Sequence, residues 1–99
     1  MSFTVILGSE TEKELRAAHE WYEKRSNGLG KEFILCVDAC IEGIRRNPQT
    51  NQQIHKNVRR ALTRKFPFGI FYLIKENSIY ILAIFHIRRH PIDWNEREI

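Results

Sequence analysis

Residues 66–88 read FPFGIFYLIKENSIYILAIFHIR, and their reading decides the fold. Two runs dense in aromatic and β-branched residues, Phe66 to Ile74 and Ile79 to Arg88, carry the composition of strands. Glu76-Asn77, between Lys75 and Ser78, supplies the residues of a tight turn, so the two runs are predicted to form a β-hairpin. Side chains alternate across a strand. Phe66, Phe68, Ile70, Tyr72 and Ile74 therefore share one face, and Tyr80, Leu82, Ile84, His86 and Arg88 share one face of the next strand. The last run is apolar on both faces as far as Phe85, as expected of a strand inside a sheet that helices cover on one side.

Upstream, Val58 to Arg64 reads as a further strand, with Val58, Arg60, Leu62 and Arg64 on one face and Arg59, Ala61, Thr63 and Lys65 on the other. The polar stretch Asn47 to Asn57, with Pro48 near its start, reads as a loop. Before it the period changes. Leu29, Phe33, Cys36, Val37, Cys40, Ile41 and Ile44 recur at helical spacing. So do Leu15, Ala18 and Tyr22, flanked by Ala17 and Trp21. Ser26-Asn27-Gly28 is the break between these two helices, and so short a connection predicts an antiparallel helical hairpin. Ser9 and Glu12 have capping-box spacing at the start of the first helix. Phe3, Val5 and Leu7 alternate with Thr4 and Ile6 as a short opening strand that ends at Gly8.

The predicted order is thus β-α-α-β-β-β, an α+β fold with an N-terminal strand and a helical hairpin packed on a curved antiparallel sheet. Ninety-nine residues suffice for one hydrophobic core and one domain, residues 1–99. With 42% hydrophobic and 28% charged residues, the composition is that of an ordinary globular chain.

Several classes fall away. No stretch of about 18 uninterrupted apolar residues is present to span a membrane, and the first residues lack the basic and small-residue signals of a secretory leader. Cys36 and Cys40 lie four apart within a helix, where an intrahelical disulfide does not form readily, so a reducing cytoplasm is the expected compartment. The same cysteines belong to the core stripe and lack zinc-finger spacing with His19 or His55; no metal and no cofactor is expected. There is no P-loop, no dinucleotide fingerprint and no H-E-x-x-H.

The net charge is +4, and its distribution is more informative than its size. Residues 43–75 contain eight Lys and Arg (Arg45, Arg46, Lys56, Arg59, Arg60, Arg64, Lys65, Lys75) and no acidic residue, whereas residues 1–42 hold eight Asp and Glu against five Lys and Arg. Such asymmetry points to an acidic or polyanionic partner for the second half, against the alternative of a solvated basic face. The candidates for target or partner binding are Arg59, Arg60, Arg64, Lys65, Arg88 and Arg89. For catalysis the candidates are His86, Arg88 and Tyr72, with His55 and His90 behind them. Cleaving RNA needs a base, an acid and cations for the charged transition state; Arg supplies only the last, and no Glu/His pair stands out. Trp21 and Trp94 can stack on bases, but each is equally placed to pack on the fold.

The stretches Val58-Arg59-Arg60-Ala61-Leu62, Arg64-Lys65-Phe66-Pro67-Phe68-Gly69-Ile70-Phe71-Tyr72 and Ile84-Phe85-His86-Ile87-Arg88-Arg89-His90-Pro91, together with Trp94, resemble the RelE/ParE superfamily of type II toxin-antitoxin toxins over nearly the whole chain. The resemblance implies a plasmid-stabilisation type of toxin, silenced in a hetero-oligomer by a cognate antitoxin with an acidic C-terminal segment. RelE-like members are ribosome-dependent mRNA endonucleases; ParE-like members inhibit DNA gyrase. This chain is closer to the second group, because it runs from Arg88-Arg89 into His90-Pro91-Ile92-Asp93-Trp94 without a tyrosine. His86 to Arg89 gives an H-x-x-R spacing found in that branch. A gyrase-directed toxin is therefore the leading expectation. An mRNA endonuclease is the alternative, and a non-toxic protein- or nucleic-acid-binding module the third.

Overall fold

The computed structural model describes residues 3–88. Seven elements follow in chain order: β1 (Thr4–Leu7), α1 (Ser9–Arg25), α2 (Leu29–Arg46), β2 (Gln53–His55), β3 (Val58–Leu62), β4 (Phe68–Lys75) and β5 (Ser78–His86). The strands form one five-stranded sheet in the order β1-β5-β4-β3-β2. The α+β architecture, the helical hairpin and the hairpin of the last two strands are as the sequence predicts.

The sheet differs from expectation in two respects. It is mixed: β1 pairs with β5 in parallel, Thr4 opposite Ser78 and Leu7 opposite Ile81, whereas β2 to β5 are antiparallel throughout. Alternation in a sequence fixes which side chains share a face and says nothing of strand direction, so the parallel edge was not legible. The predicted loop 47–57 also contains a three-residue edge strand, β2, too short and too polar to register as an alternating pattern. A two-residue turn at Lys56-Asn57, with Lys56 at φ 50°, joins it to β3.

β5, flanked by β1 and β4, is the interior strand that its apolar run predicts. Its faces, however, change over midway. Phe71 stands opposite Ala83 and Tyr72 opposite Ile81, so Leu82 is the extra residue of a β-bulge, which shifts the parity of the strand by one. Ile79 and Ile81 before the bulge and Ile84 after it all belong to the helix-side core. The expectation that Tyr80 and Leu82 share a face with Ile84 and His86 is corrected accordingly.

The main core joins Tyr22, Phe33, Val37 and Ile44 of the helices to Ala61, Phe66, Phe68, Ile70, Tyr72, Ile79, Ile81 and Ile84. Phe33, Val37, Ile70, Tyr72 and Ile79 are fully buried, each contributing about 1.5–3 kcal/mol by leaving water. Phe33 meets Phe66 and Phe68 edge-on, with centroids 5.4 and 4.8 Å apart, a favoured arrangement for ring quadrupoles. On the opposite face Val58, Phe71 and Ala83 form a smaller cluster.

The helix ends are closed in ways the sequence did not announce. At α1 the residue before the helix is Gly8, and no side-chain cap is made. The predicted Ser9–Glu12 capping box does not form because Ser9 is already within the helix. Instead the Thr11 hydroxyl, buried, donates to the Ile81 carbonyl at 3.1 Å and ties the first turn to β5. At α2 the Glu23 carboxylate reaches from α1 and accepts the backbone N–H groups of Gly28 at 2.9 Å and Gly30 at 3.0 Å. These are donors that a helix start leaves without intrahelical partners, and they hold the Glu23 carboxyl below its usual range.

Candidate functional site

Pairing brings one group of predicted residues to a single end of the sheet. Thr63 N–H donates to the Phe68 carbonyl at 3.0 Å, Phe68 stands opposite His86, and Ile87 N–H donates to the Pro67 carbonyl at 2.9 Å. The 63–67 turn, carrying Arg64 and Lys65, is thereby bound to the end of β5, carrying His86 and Arg88. Beside this end a cleft of about 260 Å³ opens between α1 and the sheet, lined by Glu14, Ala18, Trp21, Phe68, Ile84 and His86 among others.

His86 is half-buried and meets Phe68 edge-on at 5.5 Å between centroids. Its Nδ1 accepts the Arg88 backbone N–H at 3.1 Å. With Nδ1 accepting, the neutral ring carries its proton on Nε2. Glu14 shares the cleft, and its carboxylate accepts the Ile84 N–H at 3.1 Å. Sequence reasoning missed Glu14. The available signal was its place four residues before Ala18 and seven before Trp21, a carboxylate within an apolar helical stripe, where it needs a hydrogen-bonding partner. Trp21 lines the cleft and carries the Arg25 guanidinium over its ring at 3.8 Å, a cation–π contact.

The other candidates are elsewhere. Tyr72 is fully buried in the core. Its hydroxyl donates to the Pro48 carbonyl at 2.6 Å and accepts from the Asn51 amide at 3.1 Å, and burial pushes the phenol's pKa up. As a catalytic candidate it fails on geometry, since no substrate atom reaches a residue with no exposed surface. Arg59, opposite Tyr72 in the β3–β4 ladder, donates from Nη1 to the carbonyls of Gln49 at 3.0 Å and Asn51 at 2.6 Å. Both side chains hold the 47–52 loop against the sheet. His55 lies on the edge strand β2, opposite Val58, at the end of β3 remote from His86.

The basic candidates divide by what their charge already meets. Lys65 is paired with Glu32 of α2 at 3.0 Å, which raises its pKa. Arg60, Arg64 and Arg88 are exposed. Arg60 stands on the sheet face turned away from the helices, between Val58 and the exposed Leu62. Arg89, His90 and Trp94 lie outside the described residues. Among the described residues no cluster of His, Cys, Asp and Glu is arranged to hold a metal ion, and no helix is long and apolar enough to cross a membrane.

The sheet order and the helical hairpin define a two-layer α+β domain with a basic sheet end. Residues 5–91 match the family model described as ParE toxin of the type II toxin-antitoxin system parDE, and the chain belongs to that family. Among solved structures it is similar to a chain of the chromosomal ParDE toxin-antitoxin system from P. aeruginosa, with a TM-score of 0.75 and 14% sequence identity, covering 87% of this chain and 97% of that one. At that identity the likeness is one of fold. A search of curated proteins finds no match.

Proposed function

We propose that the chain is a growth-arresting toxin that acts in the ParE manner on DNA gyrase and is neutralised, in a cytoplasmic hetero-oligomer, by a cognate antitoxin with an acidic C-terminal segment. The observation that carries this reading is the ParE family match across residues 5–91. The acid-free basic segment 43–75 supports an acidic partner, since charge of one sign recruits the other and steers its approach. Two of the polar side chains on the sheet serve the fold: Tyr72 is committed to Pro48 and Asn51, and Arg59 to the same loop. In this reading Arg60, Arg64, Lys65, Arg88 and Arg89 contact target or antitoxin, with His86 and Arg88 at the target-facing sheet end.

Two measurements test it. Purified toxin added to DNA gyrase is expected to suppress supercoiling in proportion to toxin. Expression of the chain alone is expected to arrest growth with DNA-damage signalling, relieved by the product of an adjacent gene. New mRNA 5′ ends on translating ribosomes, with supercoiling intact, would replace this reading with an endonuclease.

A further inference from the structure

The face of the sheet turned away from the helices is dry where an uncovered face would be wet. Val58 and Ala83 have no exposed surface there and Phe71 keeps 7%, yet among the described residues their packed neighbours are Leu82 and Phe85 of the same sheet. Side chains stand roughly perpendicular to a sheet, so one layer does not close over its own central residues, and an apolar face needs a second layer above it. The helices do not supply it, because their core residues pack on the other face. Nor does the 47–52 loop, which Arg59 and Tyr72 fasten from that other face. The end of β5 does lead toward the outer face. A Cβ added at Gly69 would lie 3.0 Å from the Phe71 ring and 3.3 Å from Ile87 Cγ2, so Phe71 and Ile87 adjoin across it.

We propose that the outer face is an intramolecular docking surface for the chain's own C-terminal segment, residues 89–99 (RHPIDWNEREI), with Ile92 and Trp94 seated on Phe71 and Ala83. The inference goes beyond the toxin reading and does not depend on it. Reach permits the placement. From Arg88 back to the level of Ala83 is five residues of strand, about 17 Å, and the six residues 89–94 span up to about 20 Å when extended. Composition favours it. Ile92 and Trp94 are two apart, so in an extended segment both turn to the sheet while Asp93 and Asn95 turn to water. An indole is also the side chain that buries most apolar area in one place. A single chain already shows the dry face, so neither a second copy nor a partner protein is needed to account for it. The cleft between α1 and the sheet is the competing seat for Trp94, but filling it would leave Val58, Phe71 and Ala83 uncovered.

The test reads Trp94 in the folded, monomeric full chain. Nuclear Overhauser contacts on the unaltered protein are expected between the Trp94 indole protons and the Ala83 methyl group. In a Trp21→Phe variant, where Trp94 is the one remaining tryptophan, emission should be blue-shifted and shielded from acrylamide, and should become that of an exposed indole on unfolding. Trp94→Ala should lower the melting temperature by about 10 °C or more, as the loss of a buried large side chain does in a domain of this size. It should also raise the binding of an apolar dye, because the uncovered face is a contiguous apolar patch. Where Trp94→Ala fails to fold, Trp94→Leu takes its place with the same two readouts. A Trp94 that is open to acrylamide in the folded monomer overturns the proposal, as do melting and dye binding unmoved by its loss. Contacts from Trp94 to Ala18 and Ile84 overturn it in favour of the cleft. Shielding that appears only as the chain dimerises overturns it in favour of an interface between copies.

Discussion

Arg59 and Tyr72 stand opposite each other in the β3–β4 ladder and grip the same loop. The guanidinium takes the carbonyls of Gln49 and Asn51, and the phenol takes the carbonyl of Pro48 and the amide of Asn51. Two residues with the types of a phosphate-binding or catalytic pair thus serve to fasten the segment between α2 and β2.

Tyr72→Phe is accordingly expected to destabilise the fold by about 1–3 kcal/mol, because the Pro48 carbonyl and the Asn51 amide lose a buried partner. Denaturant unfolding measures the loss. The proposed gyrase inhibition should persist in the folded variant; its loss in a stable, folded Tyr72→Phe protein, with the parent chain active, would return Tyr72 to the functional site.

Arg59 and Arg60 are neighbours with opposite expected phenotypes. Arg59→Ala should cost roughly 1–2 kcal/mol of stability through the released loop carbonyls. Arg60→Ala should stay within about 0.5 kcal/mol, as exposed substitutions generally do, and weaken partner binding instead. Equal stability losses would contradict the division of the basic residues drawn above.

Gly30 of α2 packs so closely on α1 that a Cβ there would lie 2.7 Å from the His19 carbonyl oxygen and 2.9 Å from Glu23 Oε1. Gly30→Ala should therefore push the hairpin apart and destabilise by roughly 1–3 kcal/mol, the usual cost of overpacking, despite alanine's better helix propensity. A rise in melting temperature would show that the helices are free to separate.

Two of the shifted groups give opposite pH dependences. Hydrogen bonds from Gly28 and Gly30 lower the Glu23 pKa from its usual 4.5, so its contribution is present above that value and is lost as pH falls through the lower folded pKa. Burial raises the Tyr72 pKa from 10.0; the neutral phenol is favoured in the fold, so stability falls as pH rises past 10.0 and the unfolded chain ionises. Melting temperature against pH should fall less steeply on the acid side in Glu23→Gln and less steeply on the alkaline side in Tyr72→Phe.

The fold was largely legible because its elements announce themselves by period. The stripe through Phe33, Val37 and Ile44 and the face of Phe66, Phe68, Ile70 and Tyr72 all enter the core as predicted. What escaped lies where information is not periodic. The parallel pairing of β1 depends on tertiary placement, and the bulge at Leu82 inserts a residue that no local signal marks. The site was less legible. Arg59, Lys65 and Tyr72 have the right chemical types for binding or catalysis, and only their partners Gln49, Glu32 and Pro48, distant in sequence, reveal that they are already engaged. Glu23 belongs to no motif in the sequence, yet it closes the start of the next helix.

The most direct test of the central claim is a gyrase supercoiling assay with the purified chain. Supercoiling is expected to fall as toxin is added and to recover when the cognate antitoxin is present. Unchanged supercoiling at a large excess of folded toxin would contradict it.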